Sequence, residues 1–298
     1  MTAQHLYYLF QCFFIYAFLG WCTEVAFAAF KEHHFVNRGF LNGPICPVYG
    51  FGVVAVIHFL TPLRSNLILL YLGSAVLVTA IEWLTGFILE KVFHNKWWDY
   101  SNMPLNLNGY VCLLFSLIWG VFCVFIVDVF HPMIDILLAH IPFLVGIILV
   151  CILSVAGLAD LYVTASGILK LNKRLAKMQA IADELHQISD KLGESIYKST
   201  ITAMEKQEEL KDTVSEKQEE LKSTIFEKQE AISDTLADVS DEVKERIALL
   251  RRSYQENVKA TSHIQKRIMK AFPKMQNRNY KESFEDLRSR LREMSFKK

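Results

Sequence analysis

The chain has 298 residues, 52% of them hydrophobic, and a formal net charge of only +1. Its six cysteines include no C-x-x-C pair and show no His/Cys ligand spacing, which argues against a disulfide framework or a zinc module. Near-neutrality hides a strong division: residues 1–169 carry −3, residues 170–250 carry −5 and residues 251–298 carry +9, so partner chemistry has to be read segment by segment.

Five apolar runs fill the first part: Leu6–Phe30, Pro44–Leu60, Leu67–Glu90, Tyr110–Phe130 and Phe143–Leu169. About 20 apolar residues cross ~30 Å of hydrocarbon as a helix, and four of the runs reach that length. The second is shorter and contains Pro47, Gly50 and Gly52, so it is either a fifth span or a half-inserted segment. The runs are apolar all round, unlike the one-sided stretches of a soluble core. No Lys or Arg precedes the first run, and Glu24 stands just before the cleavage-like Ala26-Phe27-Ala28, so it is expected to stay in the mature chain. The predicted fold is all-α. A polytopic membrane bundle of about five spans occupies residues 1–169. A cytoplasmic helical tail with coiled-coil repeats follows over 170–250, then a basic helical segment over 251–298.

Basic residues near the span ends set the expected orientation. Lys31, Arg38, Lys91, Lys96, Lys170, Lys173, Arg174 and Lys177 fall on one side and only Arg64 on the other, which places the N-terminus outside and the C-terminus in the cytoplasm. Glu24, Glu82 and Asp160 then lie inside spans one, three and five. Counted from the next basic residue, they are about 10, 14 and 15 Å deep. Ionisable groups at that depth are costly and are functional suspects. A shared layer of three acids would suit a cation, a proton relay or a positively charged substrate group. The alternative is local satisfaction, with Arg38 reaching back to Glu24. Asp128 and Glu90 read as interfacial, and His58 as a packed polar residue.

Two loops on the same side are rich in turn formers and aromatics. The first holds Asn37, Arg38, Gly39, Asn42 and Pro44. The second holds Trp97, Trp98, Asp99 and Tyr100, and continues to Asn106 and Asn108. Irregular backbone at membrane depth survives only when buried in protein or lining a wet cavity. The three aromatics also suit an interfacial belt, and Asp99 is expected to cap a helix or pair with Arg38. The strings F-L-G-W-x-x-E (Phe18–Glu24), N-R-G-F-L-N-G-P-I-C-P-V-Y-G (Asn37–Gly50), E-x-x-x-G-x-x-x-E (Glu82–Glu90), F-H-x-x-W-W-D-Y-S (Phe93–Ser101) and N-L-N-G at Asn106 resemble bacterial proteins of the putative ABC-transporter type IV family. The resemblance covers about residues 5–165. It implies a multi-pass protein of the bacterial cell membrane and a permease partnered by a separate ATPase subunit. The chain itself has no G-x-x-x-x-G-K-[ST] phosphate loop. Gly50-Phe-Gly-Val-Val-Ala55 matches a dinucleotide pattern but sits in an apolar run without a βαβ context.

The tail carries an eleven-residue repeat over 205–237, in which Leu210/Val214, Leu221/Ile225 and Ile232/Leu236 recur in register. Eleven residues over three turns imply a straight or weakly right-handed seam. The seam is thin, so residues 200–250 are expected to pair with another copy or a partner protein; a lipid-surface helix and an antiparallel hairpin are the alternatives. A helix break is expected at Gly193. Anionic lipid headgroups suit the basic end, and no nucleic-acid module is recognisable. The leading expectation is a small non-enzymatic transport component without metal or cofactor, using Glu24, Glu82 and Asp160. The alternative is a membrane-anchored scaffold or signalling protein acting through its tail.

Overall fold

Helix boundaries lie where residues can stop a helix. In the computed structural model, which describes residues 2–213 and 241–296, α1 spans Ala3–Glu32 and α3 spans Leu67–Phe93. Both end on a left-handed histidine, His33 at φ 55° and His94 at φ 54°, whose N–H groups close on the carbonyls of Ala29 and Glu90. That turn leaves the helix axis and opens both long loops at one end of the bundle. α2, Pro47–Leu60, begins on a proline, where the missing N–H costs no hydrogen bond. Asn66 starts α3 by accepting from the backbone N–H groups of Ile68 and Leu69 at 3.1 and 3.2 Å.

α4, Leu113–Phe125, continues through a π-helical turn, Ile126–Phe130, into α5, His131–Ala139. α6 runs from Phe143 to Thr213 without interruption. α7 covers described residues 241–259, α8 is His263–Ala271 and α9 is Lys281–Phe296. Among the described residues, four helical stretches are long and apolar enough to cross a membrane: Ala3–Glu32, Leu67–Phe93, Leu113–Ala139 and Phe143–Glu194. Pro47–Leu63 is a shorter apolar helix, so the five runs become four full spans and one short element. The break expected at Gly193 does not occur. A single glycine costs about 1 kcal/mol relative to alanine, too little to end a helix flanked by good helix formers.

Two-residue strands complete the fold: Asn95–Lys96 (β1) pairs antiparallel with Gln276–Asn277 (β4), and Asn106–Leu107 (β2) with Val111–Cys112 (β3). The chain forms two compact units, Met1–Lys173 with Thr261–Lys298, and Arg174–Ala260. The last 38 residues therefore belong with the membrane bundle, although their charge sets them apart in the sequence. Within the first unit one apolar cluster joins Cys12, Tyr16, Val53, Ile57 and Leu138, and another joins Val56, Leu70, Cys123 and Val127. Within the second, Arg246 pairs with Glu184 at 2.6 Å, so the two described arms of the tail meet in one chain. Most of the eleven-residue repeat, and any pairing through it, lies outside the described residues.

Candidate functional site

Glu24 binds a tyrosine whose electrostatic surroundings also include Glu82. The Tyr49 hydroxyl donates to Glu24 Oε1 at 2.7 Å, and both carboxylates act electrostatically on Tyr49 and on Tyr100. Tyr49 reaches Glu24 because α2 starts tight against α1. A Cβ on Gly20 would overlap the Tyr49 ring stem, so only glycine admits this approach. Arg38 Nε lies 3.4 Å from Glu24 Oε2, an ion-pair distance without hydrogen-bond alignment, and its guanidinium sits 5.8 Å over the Phe27 ring. Trp119 of α4 closes the group edge-on to Tyr49 at 5.8 Å. Glu82 Oε2 is buried with no hydrogen-bond partner. Burial first, and then the charge of Glu82, raise the Tyr100 hydroxyl above its ordinary range.

Asp160 is engaged by a different set of groups. Its Oδ1 accepts from Asn42 N (3.1 Å), Asn42 Nδ2 (2.7 Å) and Thr164 Oγ1 (3.1 Å), and its Oδ2 accepts from Gly43 N at 2.7 Å. Asn37 folds the same loop. Its Oδ1 accepts from Trp21 Nε1 at 2.8 Å and Gly39 N at 3.0 Å, while its Nδ2 donates to the Asn42 carbonyl at 2.8 Å. Most of α6 before Asp160 is exposed, and these hydrogen bonds fix the helix to the first loop at Asp160 and Thr164. Side-chain hydrogen bonds made by Asn37 and Asn42 account for the two asparagines of Asn-x-Gly-x-x-Asn-Gly at 37–43.

The second loop folds on Lys96. Its buried ammonium donates to Asp99 Oδ1 (2.8 Å), Ser101 Oγ (3.3 Å) and the Asn108 carbonyl (3.1 Å). Asp99 thus pairs with Lys96 and not with Arg38. Burial alone would raise the Asp99 carboxyl, but hydrogen bonds from Lys96 and Ser101 outweigh it and hold the group at about 2. Trp98 Nε1 donates to the Tyr110 carbonyl at 2.7 Å, and Asn106 accepts from Gly109 N at 3.1 Å. Asn108 (φ 56°) and Gly109 (φ 70°) make the left-handed turn between β2 and β3. Trp97 is no belt residue. It is 3% exposed, edge-on to Phe40 at 5.1 Å and to Phe272 at 5.0 Å. Pro44 lies in the same first loop, three residues before α2.

Residues that the sequence did not single out tie these loops together. Arg267 on α8 donates Nε to Asn42 Oδ1 (3.0 Å), Nη1 to the Gly39 carbonyl (2.9 Å) and Nη2 to the Phe40 carbonyl (2.9 Å). Burial lowers the affinity of its guanidinium for its proton, and the charge of Asp160 works against that loss. Buried Asn95 and Asn277 and half-buried Asn172 share amide hydrogen bonds of 2.9–3.2 Å, and Arg278 pairs with Glu90 at 2.9 Å. Gln265 donates to the Gly167 carbonyl at 2.9 Å. A charged segment gives no periodic signal of such contacts; only the Ser262-x-x-Gln265 capping box marks its start. Among the described residues, no group of three His, Cys, Asp or Glu side chains is placed to hold a metal ion.

A family model described as putative ABC-transporter type IV matches residues 11–165, just over half of the chain. No curated protein and no solved structure matches it.

Proposed function

We infer the function from one premise: the chain belongs to the putative ABC-transporter type IV family. We propose that it is a small, non-enzymatic transport component of a bacterial cytoplasmic membrane, with its N-terminus outside and its tail inside. Glu24 and Glu82 are the ligand contacts, and the loops at 37–46 and 95–112 form the cytoplasmic mouth. One observation carries this reading. Glu82 Oε2 is buried without a hydrogen-bond partner, and Glu82 and Glu24 both act electrostatically on Tyr49. Such an orphan costs about 1–3 kcal/mol, which a cationic group of a substrate, a cation or a proton would offset. Asp160 supports the mouth by accepting hydrogen bonds from Asn42, Gly43 and Thr164. Energy would come from a separate ATPase subunit, since the sequence has no phosphate loop.

Uptake in cells carrying Glu24→Gln, Glu82→Gln or both tests the reading. Loss of uptake with normal membrane levels supports it; full uptake in the double variant removes it. A second reading, a scaffold working through its tail, is favoured by the separateness of the Arg174–Ala260 unit. Replacing the stretch between Glu184 and Arg246 by a short Gly/Ser link distinguishes the two. A transport component keeps flux, whereas a scaffold loses all activity.

A further inference from the structure

At the bundle end opposite the loops, four side chains form a hydrogen-bonded chain that the transport reading leaves unused. His131 opens α5 directly after the π-turn and is only 6% exposed. Its Nδ1 lies 3.2 Å from the Tyr16 hydroxyl and its Nε2 2.9 Å from the Tyr8 hydroxyl, which is itself 2.7 Å from Asp135 Oδ1. A phenol has one proton to donate. Tyr8 gives it to the carboxylate, so it accepts from the histidine. The neutral ring therefore carries its proton on Nε2 and offers the Nδ1 lone pair to the Tyr16 hydroxyl.

We propose that His131 is a proton-binding site of the bundle, with Asp135 as its counter-ion and hydronium as its proton source. On uptake an O–H bond of hydronium breaks, an N–H bond forms at Nδ1 and water is released; no electrons are transferred. The Tyr16 hydroxyl rotates from donor to acceptor. Nε2 keeps Tyr8, and Tyr8 keeps Asp135, so no hydrogen bond is lost. The resulting imidazolium meets Asp135 Oδ2 at 3.8 Å. A histidine kept only for packing has no need of partners in both protonation states.

The surroundings are few and accounted for. α1 brings Tyr8, Cys12 and Tyr16, and α2 brings apolar Val53 and Ile57 to the same cluster. The charged groups acting on the ring are Asp135 and Arg64, and Arg64 is already tied to Asp128 at 2.8 Å. A second imidazole pair, His5 Nε2 and His58 Nδ1 at 3.1 Å, adjoins through the stacking of His5 on Tyr8.

The experiment tracks the ring nitrogens by NMR in the full chain, labelled with 15N-histidine and held in nanodiscs, between about pH 5 and 8. The resonance is assigned by its disappearance in His131→Gln, or by its displacement in Tyr16→Phe if the first variant does not fold. The expected result is a neutral Nε2–H tautomer that becomes doubly protonated within this range. Asp135→Asn should weaken proton binding about tenfold, moving the midpoint to lower pH. A neutral Nδ1–H tautomer, a ring that stays neutral throughout, or a midpoint indifferent to Asp135→Asn would each overturn the proposal. None of these outcomes depends on transport, so the two proposals fail separately.

Discussion

Among single residues, the acids of the bundle divide by their partners. Asp160 accepts four hydrogen bonds, two of them from backbone N–H groups. Asp160→Asn turns one acceptor into a donor against such a group, so it should cost about 2 kcal/mol, read as a lower unfolding temperature in detergent. Glu82→Gln should leave that temperature unchanged or raise it, because it removes the ionisable charge of a buried carboxyl that no cation neutralises among the contacts of its Oε2. A large loss of stability in Glu82→Gln would contradict the division. Asp99 gives a pH prediction. Its carboxyl is held at about 2 in the folded chain, against about 3.9 when unfolded. The stabilisation is therefore present above the unfolded value and is lost as pH falls through the folded one. Acid unfolding should show a step between these two values that Asp99→Asn lacks.

Between elements, the close approaches are set by backbone as much as by side chains. Gly20 lets α2 lie on α1 so that Tyr49 reaches Glu24. Gly20→Ala should push the helices apart at a cost of about 1–3 kcal/mol and, on the transport reading, reduce uptake with Glu24 still present. Gly109 sits at φ 70°, and a Cβ there would crowd the Lys96 ammonium, Asp99 and Ser101. Gly109→Ala should destabilise the β2–β3 loop by a similar amount, visible as faster proteolysis near residue 101. The π-turn at Ile126–Phe130 acts at the same scale. It shifts the register of α5, and the first residue of α5 is His131.

For the whole molecule, the C-terminal segment is a clasp on the membrane bundle. Arg267, Asn277 and Arg278 hold the carbonyls and side chains of both loops and of α3, while residues 174–260 form a separate unit. After cleavage at a protease site engineered into residues 214–240, the fragment ending at Lys298 should co-purify with the bundle in detergent. Arg267→Ala combined with Asn277→Ala, in a chain that also carries Arg246→Ala to remove the pair with Glu184, should release it. Free dissociation of the unmutated fragment would show that these contacts do not hold the segment.

Long apolar runs determine transmembrane helices locally, because in hydrocarbon the backbone must satisfy its own hydrogen bonds. The spans and the helical tail were legible in the sequence for that reason. The loop motifs were legible as strings, but not the part that Asn37 and Asn42 play in them, since that depends on Trp21, Asp160 and Arg267 arriving from elsewhere. The common depth of three acids came from linear spacing along helices. Which face each turns inward is a tertiary matter, and packing set Asp160 against the first loop, Glu24 against Tyr49, and Glu82 where one oxygen finds no partner. His131 and the C-terminal clasp were invisible for the same physical reason. A polar side chain earns meaning from its partners, and partners more than a hundred residues away are chosen only when the helices pack.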